Sequence, residues 1–154
     1  MAEQGIKIEE RGGIFHLSGV LNEYASFDLL LQKPAPLKLN MRLVSRLNSI
    51  GIRNLLKFIG DWGPKPFEYL ECPSEFIDQI NMIPSLLGAK KTGKVVSLFV
   101  PYACDKCDHE PEVLCPVGDF AGVAAGGEPA TRKCEKCGGT LTVLTDSFFV
   151  FLTR

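Results

Sequence analysis

The stretch "LKLNMRLVSRLNSIG", residues 37–51, changes its hydrophobic period, and this change decides the fold. Its first half alternates apolar with polar residues, which predicts a half-buried strand. The apolar members of this alternation are Leu37, Leu39, Met41 and Leu43. Beyond Asn48 the apolar residues recur with the spacing of one helix face, so we predict a helix from Ile50 to Ile59, with Gly60 able to cap its end. A strand therefore turns directly into an amphipathic helix.

The segments on both sides of this stretch also show either the alternation of a strand or the apolar spacing of a helix. On the N-terminal side they predict two strands that form a hairpin and one short helix, and on the C-terminal side a strand, a helix and a last strand. These segments are "IKIEE" (6–10), "GIFHLSG" (13–19), "EYASFDLLLQ" (23–32), "FEYLEC" (67–72), "PSEFIDQI" (73–80) and "GKVVSLFVPY" (93–102). We therefore predict an α/β fold, with a mixed sheet and helices between its later strands.

The composition is that of a soluble globular protein. The chain has 154 residues, of which 45% are apolar and 23% charged, and its net charge is -1. These values argue against a disordered chain and against a strongly basic, polyanion-binding one. The start, "MAEQGIKIEE", is acidic and lacks an apolar core, and no later apolar run approaches the roughly 18 residues of a membrane span. We therefore expect a cytoplasmic protein without direct membrane insertion.

The cysteines divide the chain into two unequal parts. Cys72 stands alone, whereas the other five cysteines lie in the last third of the sequence. The charge changes in the same region, from a net +2 over residues 1–100 to a net -3 over residues 101–154. We predict a boundary near Pro101, with a first domain of residues 1–100 and a cysteine module of residues 101–154.

Two CxxC motifs in this module predict a metal site. They are Cys104–Cys107 and Cys134–Cys137, separated by 26 residues. Two thiols three residues apart in a tight turn can face one ion, and two such turns complete a tetrahedral shell of four sulfurs. The segments "VVSLFVPY", "GTLTVL" and "SFFVFL", with a turn at Thr145 and Asp146, would supply the strands of a small β zinc ribbon. With four protein ligands the site is closed to water, so the zinc would be structural.

The sequence also allows other interpretations of these cysteines. A pair of redox-active CxxC motifs is the alternative to zinc, although a redox CxxC favours a helix start after a strand. Cys115 and His109 are nearby spare ligands that could join the shell. Zinc ribbons often bind nucleic acid, but the acidic module lacks the basic face that phosphate binding needs, so nucleic acid is not a favoured partner.

Ser49 has two interpretations. It could be the N-cap of the helix that follows it, a role that serine favours and that contributes about 1 kcal/mol. It could also be a phosphorylation switch, because phosphate is stabilised at a helix N-terminus and positive side chains flank this position. Those side chains are Arg42, Arg46, Arg53 and Lys57, of which Arg53 and Lys57 share a helix face.

Residues 5–100 resemble the STAS domain family, which comprises the anti-sigma factor antagonists and their relatives. The stretch 37–51 is similar to the family's strand and turn, and it places Asn48, Ser49, Ile50 and Gly51 on the motif Asp-Ser-(Ser/Thr)-Gly. "HLSGVLNEY" and "YLECPSEFIDQINM" resemble other strands of the family with their following turn or helix. Asn48 and Ile50 depart from the motif, while Ser49 keeps the residue that a partner kinase phosphorylates in the family.

The resemblance implies a regulatory protein-protein interaction module and not an enzyme. Ser49 would be the phosphoacceptor, and the partner, an anti-sigma factor or a Ser/Thr kinase, would bind a surface of Asn48, Ser49, Ile50, Arg53 and Lys57. The residues themselves show no grouping of nucleophile, base and orienting residue. A STAS subunit of a membrane lipid-transport complex and a nucleic-acid-binding zinc ribbon are the alternatives.

Overall fold

The fold is an α/β arrangement of two sheets. It is taken from a computed structural model, which describes residues 5–144 and 146–152. The strands are β1 (Ile6–Arg11), β2 (Ile14–Leu21), β3 (Leu37–Leu47), β4 (Phe67–Leu70), β5 (Gly93–Val95), β6 (Ser97–Cys104), β7 (Glu112–Pro116), β8 (Arg132–Lys133) and β9 (Thr140–Val143). The α-helices are α1 (Ser49–Trp62) and α2 (Ser74–Met82). Shorter 3-10 segments are Asp28–Gln32, Pro84–Leu87, Val117–Ala125 and Asp146–Leu152.

The first sheet has the strand order β1-β2-β3-β4-β5. β1 runs antiparallel to β2, and every later neighbour is parallel. Parallel neighbours need a crossover connection, and α1 and α2 are the crossovers from β3 to β4 and from β4 to β5. The predicted mixed sheet with helices between its later strands is thus confirmed. The short helix predicted over residues 23–32 is instead a 3-10 segment of five residues.

Helix α1 is longer than the sequence pattern predicted. It begins at Ser49 and continues through Gly60 to Trp62, so the predicted end at Ile59 was wrong. Gly63 follows it with a φ of 80°, a conformation that favours glycine, and donates its N–H to the Ile59 carbonyl. The buried side of the helix repeats every three or four residues, as an amphipathic helix requires. Its buried members are Gly51, Ile52, Leu55, Phe58, Ile59 and Trp62.

The single strand predicted over "GKVVSLFVPY" was wrong, because the chain changes sheets within it. β5 ends at Val95, and the amide of Val96 still donates to the Tyr69 carbonyl of β4 at 2.9 Å. From Ser97 onwards the chain pairs with β7 and then with β9, in a second sheet of order β7-β6-β9-β8. The division into residues 1–100 and 101–154 stays a prediction, and Pro101 lies within β6.

The predicted strand "SFFVFL" was also wrong, since Asp146–Leu152 is a 3-10 segment. Phe148 and Phe149 are both buried, whereas a strand would place neighbouring side chains on opposite faces. Asn81 of α2 holds the segment: its Nδ2 donates to the Phe148 carbonyl at 2.9 Å, and its Oδ1 accepts from the Phe151 amide at 2.8 Å. The turn predicted at Thr145 and Asp146 lies partly outside the described residues, because Thr145 is not among them.

Glu71 marks the junction of the two sheets. This residue has a φ of 50°, which is rare for a residue with a side chain. Its carboxylate accepts from Asn40 Nδ2 at 2.6 Å and from Arg42 Nη1 at 3.0 Å, and its amide donates to Ser97 Oγ at 2.8 Å. Next to it, Cys72 forms a parallel bridge with Leu98 of β6. These contacts connect β3 and the end of β4 with the first residues of the second sheet.

A single cluster of buried apolar side chains extends through both sheets. It includes Leu39 and Tyr69 of the first sheet, and Leu98 and Leu141 of the second. Within residues 5–144 and 146–152, no helix has the length and apolar character needed to cross a membrane.

Candidate functional site

The four cysteines of the two CxxC motifs converge on one point. Their sulfur atoms all lie within 4.8 Å of one another. Two of the separations join one motif to the other: 3.4 Å from Cys104 to Cys137 and 3.7 Å from Cys107 to Cys134. Cys104 ends β6, and Cys134 follows β8 directly. Pairing of both strands with β9 therefore brings the two motifs together.

Two of the six separations between the sulfurs can be compared with those of a tetrahedral metal shell. A metal–sulfur distance of about 2.3 Å in a tetrahedron places the sulfurs about 3.8 Å apart. The two observed separations are close to this value, and they are far longer than the disulfide bond of about 2.05 Å. All six cysteines are free thiols. The four clustered cysteines could thus hold one metal ion, in a shell that needs no further protein ligand.

Backbone amides donate toward two of the sulfurs. The Lys106 amide lies 3.3 Å from Cys104 Sγ, and the Gly139 amide lies 3.4 Å from Cys137 Sγ. These amides sit two residues after their cysteines and donate toward sulfur, which stabilises the negative charge that a metal ligand carries. The Lys106 amide is the main cause that lowers the pKa of Cys104 to about 7.

Two glycines and one aspartate shape the second turn of the cluster. Gly138 has a φ of 77°, a conformation that favours glycine, whereas Gly139 is required for a different reason. A Cβ atom on Gly139 would lie 3.2 Å from the sulfurs of Cys104 and Cys137 and 2.9 Å from Asp105 Oδ1. That Asp105 oxygen accepts from the Thr140 amide at 3.0 Å, and so links the two turns. Gly139 is therefore required because a side chain would not fit beside the sulfurs, and not because of its backbone conformation.

The two spare ligands stay outside this cluster among the residues that the structure describes. Cys115 is buried in β7, where its sulfur accepts from Arg132 Nη2 at 3.1 Å. His109 contributes its backbone carbonyl, which accepts from the Cys104 amide at 3.0 Å. Cys72 is fully buried, and burial raises the pKa of its thiol, so it is a packed apolar residue rather than a ligand.

The N-terminus of α1 is capped by Asn48 and not by Ser49. Asn48 has extended backbone angles, and its Oδ1 accepts from the Gly51 amide at 2.8 Å. Its own amide donates to the Leu21 carbonyl at the end of β2, at 2.9 Å. The interpretation of Ser49 as the cap was therefore wrong. Ser49 is the first helical residue, and its side chain is exposed.

Replacing Asn48 with alanine is expected to reduce the free energy of unfolding by about 1 kcal/mol, because the Gly51 amide loses its acceptor. Ser49→Ala is the matched control, and its expected effect is within about 0.5 kcal/mol, the range of surface substitutions. Urea unfolding followed by circular dichroism measures both. Equal losses for the two variants, or a larger loss for Ser49→Ala, would contradict the assignment of the cap.

The predicted partner surface lies along one exposed face of α1. Ser49, Arg53 and Lys57 follow one another at intervals of four residues and are exposed, and Ile50 beside them is 44% exposed. Tyr24, which the sequence analysis did not select, is 59% exposed in the loop after β2. Asn54 Nδ2 of α1 lies 3.4 Å from each of three carbonyls of this loop and so holds it against the helix. We call Tyr24, Asn48, Ser49, Ile50, Arg53 and Lys57 the α1 surface.

Arg42 does not contribute its charge to this surface. The Glu71 carboxylate pairs with it at 3.0 Å, and its guanidinium lies 5.4 Å from the centre of the Phe99 ring. The positive side chains that belong to the α1 surface are Arg53 and Lys57, on the helix itself, and both are exposed. Sequence proximity alone does not distinguish these two residues from Arg42.

Comparison of the chain with models of protein families, with curated proteins and with solved structures finds no match.

Proposed function

We propose that this chain is a non-enzymatic regulatory protein that binds a partner protein through the α1 surface. The observation that carries the proposal is the first turn of α1, where Ser49 and the apolar Ile50 are both exposed at a helix N-terminus. Exposed apolar side chains within a polar rim are typical of protein-protein contacts. Tyr24 and Ile50 would supply the apolar contact, with Arg53 and Lys57 at its rim.

The order of elements supports a STAS-like assignment for the first sheet. An antiparallel pair begins it, parallel strands follow, and a helix starts at the serine directly after the third strand. In the STAS family this serine is the phosphoacceptor, and the partners are anti-sigma factors and Ser/Thr kinases. By this resemblance, Ser49 would be the phosphoacceptor, and an anti-sigma factor or a Ser/Thr kinase would bind the α1 surface.

Phosphorylation of Ser49 would change the charge of this surface and leave the helix intact. A kinase would transfer the γ-phosphoryl group of ATP to Ser49 Oγ; the bond to the β-phosphate would break, ADP would leave, and the hydroxyl would lose its proton. The phosphate would add about -1.5 to -2 charges at the positive end of the helix dipole, where anions stabilise a helix. Arg53, four residues later, lies within reach of it. A partner that presents apolar or acidic groups to Ile50 would then be released.

The cysteine cluster would bind a structural zinc ion. Four thiolates in a tetrahedral arrangement are the ligand set of structural zinc sites, and the closed shell leaves no position for a reacting water. The ion would fix the ends of β6, β8 and β9, of which β8 and β9 are only two and four residues long.

A capture experiment tests the proposed α1 surface. The full-length chain is immobilised, and proteins retained from lysate of the source organism are quantified by mass spectrometry for wild type, Ser49→Asp and Ile50→Glu. Ser74→Asp is the matched control, because Ser74 is the first residue of α2 and the same charge is added at another helix N-terminus. A partner is expected to bind wild type and Ser74→Asp, and to lose at least tenfold in retention with the other two variants.

The binding must then be reproduced with the purified partner. Equal affinity of that partner for wild type and Ile50→Glu would overturn the α1 surface as the interface. Equal affinity for wild type and for Ser49-phosphorylated protein would leave the interface in place but overturn the switch.

A further inference from the structure

A second candidate site lies at the opposite end of α1 from Ser49. An open apolar groove of about 440 Å³ runs between the last turns of α1 and residues 85–92. This volume is within the range of small-molecule sites, which are mostly apolar with a few polar groups. It is lined by Leu56, Ile59, Gly60, Gly63, Pro64, Ser85, Ala89, Lys90 and Thr92.

Gly60 forms part of the wall of the groove. It lies inside α1, where glycine costs about 0.5–1 kcal/mol relative to alanine. A Cβ atom there would meet no heavy atom of the described chain within 4 Å, so close packing does not require the glycine. Its missing side chain instead leaves room in the wall of the groove, next to Leu56 and Ile59.

The charge at the groove is positive. Among the described residues that line it, Lys90 is the charged one, and its exposed neighbour Lys91 lies in the same turn. That turn is closed by the Lys91 amide, which donates to the Gly88 carbonyl at 3.1 Å. The acidic residue nearest in sequence to Gly60, Asp61, lines a separate depression together with Lys57 and Asn54. The groove thus combines an apolar floor with an ammonium group at its edge.

We propose that this groove binds a single-chain fatty carboxylate, with the acyl chain along Leu56, Ile59 and Gly60 and the carboxylate beside Lys90. The apolar lining favours a hydrocarbon chain through burial of its surface, and the ammonium favours an anionic head group over a neutral or cationic one. The site is independent of the α1 surface around Ser49.

Isothermal titration calorimetry of the full-length, zinc-loaded chain with dodecanoate, below the concentration at which micelles form, tests the proposal. We expect saturable binding of one molecule per chain and at least tenfold weaker binding of dodecyltrimethylammonium. Gly60→Leu, which fills the groove, should weaken dodecanoate binding at least tenfold. Lys90→Glu should weaken it at least fivefold, whereas Lys94→Glu, the same charge change at an exposed position of β5 outside the groove, should leave it unchanged.

Circular dichroism and the unfolding midpoint establish that each variant is folded, and Gly60→Ala serves as a variant with a smaller side chain at the same position. Undiminished dodecanoate binding by folded Gly60→Leu would overturn the proposal, as would equal affinity for the cationic amphiphile. A dimer of the wild type that dissociates with Gly60→Leu and does not bind dodecanoate would also overturn it, because a second copy would then be the occupant.

Discussion

Cys134→Ser is expected to abolish the binding of one zinc ion per chain and to unfold the second sheet. Cys134 is the most buried of the four clustered cysteines, at 1% exposure, and its sulfur lies 3.7 Å from that of Cys107. Structural zinc contributes about 10–16 kcal/mol of apparent binding free energy in small zinc-dependent domains, and this energy is coupled to folding. Loss of the ion should lower the free energy of unfolding by more than about 4 kcal/mol.

Inductively coupled plasma mass spectrometry gives the metal content, and hydrogen exchange at the amides of Leu141 and Val143 in β9 reports on the second sheet. Cys115→Ser is the matched control, since Cys115 is also a buried cysteine of this sheet but lies outside the cluster. It should retain one zinc per chain. Full zinc content in Cys134→Ser, or no bound metal in wild type prepared with zinc present, would disprove the zinc site.

Gly51→Ala is expected to give the second large loss of stability, of more than about 3 kcal/mol. A Cβ atom at this position would overlap the carbonyl group of Leu21 and lie 2.5 Å from the amide nitrogen of Asn22. These are backbone atoms at the end of β2, so no side chain can rotate away, and the start of α1 would have to move. Urea unfolding measures the loss, and binding of any α1-surface partner should weaken with it.

Gly60→Ala provides the control within the same helix. The new methyl group meets open space, and alanine is favoured over glycine inside a helix, so this variant should gain about 0.5–1 kcal/mol of stability. Gly51→Ala should therefore lower the free energy of unfolding, whereas Gly60→Ala should raise it. This difference separates the effect of close packing from that of helix propensity. A loss at Gly51 no larger than about 1 kcal/mol would contradict the close approach of α1 to β2.

The parts of this protein that depend on short-range patterns could be predicted from the sequence. The change of period after Leu47 located β3 and α1, and the two CxxC motifs located the cluster. The choice between Asn48 and Ser49 as the cap could not be made, because both residue types are good caps. The Asn48 amide donates to the Leu21 carbonyl, which is far away in sequence. This contact fixes Asn48, and not Ser49, at the position before the first turn of α1.

The errors arose where distant partners determine local structure. The segment "GKVVSLFVPY" reads as one strand, but the partners of Val95 and Ser97 belong to different sheets. "SFFVFL" has the β-branched and aromatic composition of a strand, yet Asn81 provides the hydrogen bonds that a neighbouring strand would otherwise make. Likewise, Tyr24 joins the α1 surface through the contacts of Asn54, which no local pattern indicates.

The contacts of Asn81 lead us to expect an effect on refolding. Asn81 and Phe151 are 70 residues apart in sequence. Contacts of high sequence separation form late, because the entropy of closing a long loop opposes them until other contacts have formed. Until then, the face of the C-terminal segment formed by Phe148 and Phe149 remains exposed to water. Transiently exposed apolar surface promotes association, so refolding yield should fall with increasing protein concentration.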